Sequence, residues 1–268
     1  WEIQVEGPHL QQWPPAGHVA LYGELKQNDL NLETINKRLR SFAHSAFRRP
    51  PTEDELSPIR ALVAAKLNAD IKPLDALQIG FQAILCAPGF LYLNEGEGEL
   101  RNYALASRLS YFLWSSMPDD ELLKLAAAGT LGEPEIQREQ VERMLADPKS
   151  QRFVSNFTRI WLELDNVGKM PPSKDFVSYY RDNLQGAMRQ ETEHFFAHIL
   201  RKNLPPREFL SANYSFLNRE LAEHYEMPGL KGNHFRKVIL PHKSRGGILG
   251  HGSFLTASAN GVDTSPVV

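Results

Sequence analysis

The sequence predicts a mainly α fold, a multi-helix, bundle-like domain with a small β element formed near the N- and C-terminal segments. Three observations carry this. Apolar residues recur at i, i+3 or i+4, and i+7 in one segment after another, the period of a helix with one face in a core. Proline pairs and glycines cut these segments into helix-sized pieces. Strand character is confined to the two ends, where Trp1, Ile3 and Val5 alternate with polar residues and where the stretch from Phe235 turns apolar and glycine-rich.

Residues 1–6 predict a strand stopped by Gly7-Pro8, and such a strand needs a partner. Trp13-Pro14-Pro15 begins an irregular linker that lasts to about Asn31. Ile35, Leu39, Phe42, Ala43 and Ala46 mark the first helix, ended by Arg48-Arg49-Pro50-Pro51. Thr52 and Glu55 form a capping box for the second, whose buried side is Leu56, Ile59, Val63 and Leu67, with Pro58 kinking it or delaying its start. Pro73 opens a third through Leu77, Phe81 and Ile84, and Phe90-Leu91-Tyr92-Leu93 is expected to be extended. The loop Glu95-Gly96-Glu97-Gly98 is the best internal boundary.

The chain is organised around Leu105–Trp114 and its continuation to Leu123. Leu105, Leu109, Phe112 and Leu113 form one stripe and Tyr103, Tyr111 and Trp114 a second, as expected of a helix buried on most sides. Pro118 and the acids Asp119, Asp120 and Glu121 open a second helix, and Gly129 closes it in a left-handed cap, giving a buried helical hairpin. Pro134 starts a helix that buries Val141, Met144 and Leu145. Phe153, Phe157, Ile160, Trp161 and Leu164 make a further stripe expected in the core. A long helix is predicted from about Lys174 to Lys202 with Tyr180, Leu184, Met188, Phe195 and Ile199 inward, and Leu217, Leu221 and Tyr225 mark a short one. Phe235–Leu240 is strand-like, Arg245-Gly246-Gly247 a turn, and Ile248–Ala259 continues the β region up to the hairpin dipeptide Asn260-Gly261. These divisions give four regions: 1–31, strand and linker from a preceding domain; 32–98, N-terminal helices; 99–170, the central hairpin region; and 171–268, the long helix and C-terminal β segment.

Composition bounds function more by exclusion. Net charge is -2 over 268 residues, with no basic stripe for nucleic acid. No apolar run reaches the roughly 18 residues of a membrane span. Cys86 is the single cysteine, so the chain has no internal disulfide and no thiolate metal cluster. It begins at Trp1, without a signal segment, as expected of a piece of a longer protein.

Four constellations could carry chemistry. Glu191, His194 and His198 stand at i, i+3 and i+7, a spacing that can present metal ligands, against the simpler reading of a polar helix face without the second copy such sites use. Arg245, with His242 and Lys243, precedes Gly246-Gly247 and could hold an anion, although the glycines' backbone role explains the spacing by itself. His251 in Gly250-His251-Gly252-Ser253 could serve as a general base or as an axial ligand to a neighbouring haem. The stretch fails the Gly-x-Ser-x-Gly pattern, and among Ile248, Leu249 and Phe254 a hydrogen-bonded core histidine is the plainer reading. Asn260 and the polar residues after it could line a site at the edge of the β part, or simply hold a hairpin tip. The acids at Asp119–Glu121 are explained by helix-start chemistry.

Arg108–Leu122, Arg143–Pro148, Asn213–Asn218 and the run from Arg245-Gly246-Gly247 through Asn260-Gly261 to Thr264-Ser265-Pro266-Val267 resemble, in order, the large multidomain proteins of planctomycetes and related bacteria that combine domains of unknown function with c-type cytochrome modules. The resemblance covers nearly the whole chain. It implies an exported, extracytoplasmic protein, with cytochrome c modules of the same parent chain as partners and haem c carried only by those modules. This chain has no Cys-x-x-Cys-His and so attaches no c-type haem itself. The expected role is a helical core module supporting electron transfer or substrate positioning. The alternatives are an enzyme domain with its own site at Arg245, His251 and Asn260, and a protein-interaction scaffold.

Overall fold

The computed structural model describes residues 7, 12, 14–23, 30–93, 98–169, 183–227, 229–241 and 245–259. The fold is mainly α, with thirteen α-helices and one two-stranded sheet among the described residues. The chain divides into two compact units, residues 1–111 with 116–138, and residues 112–115 with 139–268.

The first unit holds α1 (Ala16–Tyr22), α2 (Leu32–Phe47), α3 (Glu53–Asn68), α4 (Pro73–Leu85), α5 (Pro88–Leu91), most of α6 (Arg101–Trp114), α7 (Asp120–Ala127) and the start of α8 (Pro134–Ala146). Ile35, Leu39 and Ala43 of α2, Leu56, Ile59 and Val63 of α3, and Leu77, Phe81 and Ile84 of α4 share one core. A Cβ at Gly80 would lie 2.4 Å from Leu39 Cδ2 and 2.9 Å from a Val63 methyl, so only glycine lets α4 approach this closely. The Thr52/Glu55 capping box starts α3, which runs through Pro58. The Asp119 carboxylate accepts the Leu122 amide at the head of α7, and Gly129 closes it at φ 74.

Several expectations change here. The segment read as linker contains α1. Residues 88–91 form a helical turn, not an extended run, because Pro88 suits a first helical position and Arg48 donates to the freed carbonyls of Gly89, Phe90 and Tyr92 at 3.0, 3.1 and 3.3 Å. The central helix buries Ala106, Ser107, Ser110, Leu113 and Trp114, whereas Leu105 and Leu109 are half-buried and Phe112 is 60% exposed. Its inward face mixes the small residues Ala106, Ser107 and Ser110 with Leu113 and Trp114.

The second unit holds the end of α6, the rest of α8, α9 (Gln151–Trp161), α10 (Leu184–Arg201), α11 (Glu208–Ser211), β1 (Tyr214–Leu217), α12 (Arg219–His224), β2 (Arg236–Ile239) and α13 (Gly252–Ala257). The predicted strand at 235–240 is found, and it pairs antiparallel with β1, Tyr214 facing Ile239 and Leu217 facing Arg236. Leu217 thus ends a strand rather than beginning a helix. Trp114 Nε1 donates to the Met144 carbonyl at 2.9 Å and anchors α8 within this unit. In α9 the buried residues are Val154 and Thr158. Phe157, Ile160 and Trp161, expected in the core, are exposed, so much of the apolar face of this helix is open.

The stretch read as β from Ile248 is a 3₁₀ turn followed by α13. Gly247 adopts φ 70, and a Cβ there would stand 2.6 Å from the Leu210 carbonyl, which fixes the turn before it. The predicted N-terminal strand, Trp13, the start of the long helix with Tyr180, and Asn260-Gly261 lie outside the described residues.

Candidate functional site

Helix α10 places Glu191 and Thr192 side by side on its inward surface, 1% and 0% exposed. β1 brings Ser215 to the same place, the end of α12 brings Tyr225, and the start of α13 brings His251 and Ser253, all of them buried. The alternation of a strand explains Ser215, which sits between the aromatic residues Tyr214 and Phe216. Gly252 is glycine for a local reason: a Cβ would meet the Tyr225 hydroxyl at 2.8 Å and the Met188 methyl at 3.0 Å.

The six residues form one hydrogen-bonded network. Ser215 Oγ donates to Glu191 Oε1 at 2.6 Å, and Tyr225 donates to Glu191 Oε2 at 2.6 Å. The Gly252 amide donates to the Tyr225 oxygen at 2.7 Å. Thr192 Oγ1 lies 3.0 Å from His251 Nδ1 and 2.6 Å from Ser253 Oγ. Ser215 Oγ lies 3.5 Å from His251 Nε2.

Donor and acceptor capacity orders the protons. The hydrogen of Ser215 goes to the carboxylate, so its oxygen can only accept from His251, whose proton therefore sits on Nε2. Nδ1 must then accept from Thr192, whose oxygen accepts from Ser253. Every bond points towards Glu191, where the donors end on a charge-assisted pair.

The electrostatics agree with a closed core. Burial holds the His251 imidazole below its ordinary pKa, opposed by Glu191. Burial, then the charge and hydrogen bond of Glu191, hold the Tyr225 phenol well above its ordinary value. The Arg245 guanidinium lies 4.2 Å from the Tyr225 ring centroid, and the Phe195 ring meets His251 edge-on at 4.8 Å.

The residues singled out from sequence separate. His251 and Glu191 join the network, and Arg245 lies against its edge on Tyr225. Asn260, His242 and Lys243 are outside the described residues. Glu191 points into the core and both of its oxygens accept protein donors, whereas His194 lies on the outer side between Phe216 and Phe235, with ring centroids 6.1 and 4.9 Å away. His198 packs on Phe216 and Tyr214 and its Nε2 lies 3.3 Å from Lys237 Nζ. Burial comes first in lowering the pKa of both outer histidines, with nearby cations adding to it. No group of three histidine, cysteine or acidic side chains that could hold a metal ion is assembled among the described residues.

Sequence reading missed Thr192 and Ser215, set Ser253 aside with the failed Gly-x-Ser-x-Gly pattern, and took Tyr225 for plain core. The signal available was Asn213–Asn218, a polar-and-aromatic alternation that reads as a half-buried strand. The second feature missed is a cleft of about 290 Å³ on this unit, lined by Phe157, Trp161, Phe196, Leu200, Leu204 and Phe209.

Residues 34–95 match the family model PSD5, protein of unknown function (DUF1595), and residues 100–227 match PSD4, protein of unknown function (DUF1592). The second match contains Glu191, Thr192, Ser215 and Tyr225 and stops before Arg245, His251 and Ser253. No curated protein and no solved structure matches the chain. No helix among the described residues is long and apolar enough to cross a membrane.

Proposed function

We propose that this chain, which carries two domains of unknown function, is a helical core module of an exported, cytochrome-linked multidomain protein. It holds the haem-bearing modules of its parent in position and supports their electron transfer or substrate positioning. It carries no haem itself. The observation that carries this reading is the state of its best chemical group: His251 is buried and has a hydrogen-bond partner at each ring nitrogen. A general base or axial ligand must reach a substrate or a metal, and this imidazole is used up inside the fold. The polar network acts instead as an internal tie among α10, β1, α12 and α13, where satisfied buried polar groups fix one packing over its alternatives.

The enzyme reading at Arg245, His251 and Asn260 has less support, since the imidazole it depends on is buried and both its ring nitrogens have protein partners. The exposed aromatic face of α9 favours the scaffold component of the proposal, because open apolar surface of this kind marks an interaction site.

Expression of the full-length parent in a host that matures c-type cytochromes tests the proposal. Covalent haem in the extracytoplasmic fraction is the expected result, with residues 1–268 expressed alone remaining haem-free. A parent found only in the cytoplasm, without covalent haem, overturns it.

A further inference from the structure

We infer that the aromatic cleft of the second unit is a docking groove for an apolar, acid-flanked helical segment of a partner protein. The inference rests on the scaffold reading above and names the chemistry of the segment such a scaffold would hold.

The cleft is built from three elements. Phe157 and Trp161 come from α9, Phe196 and Leu200 from α10, and Phe209 from α11. The rings form a continuous set: Phe157 lies 5.5 Å from Trp161 and 5.2 Å from Phe196, and Phe209 meets Trp161 edge-on at 6.0 Å. Beside them Ile160 is 70% exposed, Trp161 49% and Leu210 66%. Rigid aromatic anchors around an open groove supply most of the energy at protein interfaces, and a helix presenting apolar residues at i, i+3, i+4 and i+7 fits such a groove.

Charge selects the occupant. Between the lining residues Leu200, Asn203 and Leu204 the chain carries Arg201 and Lys202, and before Phe209 it carries Arg207, all exposed. None of the three is in an ion pair among the described residues. Of the nearby acids, Asp165 pairs with Arg159 at 2.7 Å and Glu208 is drawn to the Tyr214 hydroxyl, while Glu163 accepts from the neutral Asn166 at 3.0 Å and keeps its charge. The chain around the groove therefore carries three cations, Arg201, Lys202 and Arg207, against Glu163 and Glu208, and this net positive charge favours carboxylates on either side of an apolar anchor and disfavours lysines there.

The test uses residues 1–268 and two synthetic helical peptides with leucines at i, i+3, i+4 and i+7, one with glutamates and one with lysines at the remaining positions. Calorimetry should show binding of the glutamate peptide, with the lysine peptide weaker by about tenfold or more. Ile160→Asp and Trp161→Ala should abolish binding with little change in thermal unfolding. The double variant Lys202→Glu, Arg207→Glu, which changes only exposed side chains, should reverse the preference between the peptides. Equal binding of both peptides, or of neither, overturns the inference. So does a concentration-dependent dimer of the chain that Ile160→Asp dissolves, which would make a second copy the occupant, or adsorption to phosphatidylglycerol vesicles through the same residues, which would make it a membrane. Each of these outcomes leaves the haem measurement on the parent protein standing.

Discussion

The Tyr225 hydroxyl stands 2.6 Å from Glu191 Oε2 and 2.7 Å from the Gly252 amide nitrogen, so one phenol ties α10 to the first turn of α13. Removing it orphans two buried groups at once, a carboxylate oxygen and a helix N-terminal amide. Each such loss costs on the order of 1–3 kcal/mol. Tyr225→Phe should therefore destabilise the protein by about 3 kcal/mol, measured by urea unfolding. A change below about 0.5 kcal/mol would mean the phenol is not holding the network together.

The proton order in the network makes a spectroscopic prediction. His251 should be the Nε2–H tautomer at neutral pH, visible in the ¹⁵N shifts of its ring. An Nδ1–H ring would reverse the hydroxyl directions and refute the assignment.

Acid should weaken the second unit through the same residue. Burial keeps the folded imidazole of His251 below its ordinary value of 6.5, so the unfolded chain binds its proton more readily. The stability this contributes is present above pH 6.5 and is lost as pH falls below it towards the folded value. His194, His198 and His224 shift in the same direction, but each is at least partly open to solvent and adds less. Urea midpoints should fall between pH 7 and pH 5, and His251→Gln, less stable throughout, should show a flatter profile. An unchanged slope in that variant would place the acid sensitivity elsewhere.

How far the sequence alone goes is clear from individual residues. Helix periodicity and capping gave α2, α3, α4 and α7 because local chemistry decides them: Asn31, Thr52 and Asp119 each accept an amide at the head of their helix. The α9 stripe failed for a different reason. Its apolar residues, Phe153, Val154, Phe157, Ile160 and Trp161, share one arc of the helix, and periodicity cannot say which edge of that arc tertiary packing turns inward, which is the edge with Val154 and Thr158. α13 was missed because its small residues and threonine suit a strand as well as a helix. Its helical start depends on Tyr225, 27 residues earlier, and no local pattern contains that bond. Glu191 and His251 were recognised as chemically notable. Their link through Ser215 and Thr192 is wholly tertiary, and it turned two candidate reactive groups into structural ones.

The first unit offers an acid-sensitivity test of its own. Arg49 and Glu55 form a two-point ion pair at 2.9 and 2.6 Å, and Glu55 also accepts the Thr52 amide at 2.8 Å. The Arg49 hydrogen bond is the main cause holding the Glu55 carboxyl down, at about 2. Its contribution is thus complete above pH 4.5 and lost as pH falls from there to about 2. Glu55→Gln should remove this low-pH dependence while α3 still forms. Thr52→Ala should keep the dependence and cost about 1 kcal/mol through the lost cap. Hydrogen exchange at the amides of residues 55–57 reads both effects, and identical behaviour of the two variants would dissolve the distinction between cap and ion pair.

The two faces of α9 should respond oppositely to truncation. Val154 is fully buried and packs with Phe196 and Ala197, so Val154→Ala removes two methyl groups from a filled core and should cost about 2 kcal/mol. Ile160, on the same helix but 70% exposed, already stands largely in water, and Ile160→Ala should change stability by less than about 0.5 kcal/mol. The same substitution should raise the protein concentration at which the chain starts to associate, because an exposed aliphatic beside Trp161 and Phe157 contributes to a sticky surface. Urea unfolding and light scattering on the two variants measure both quantities. If Ile160→Ala proved as costly as Val154→Ala, the outer face would be packed in solution, and the groove beside it would not be open to a partner.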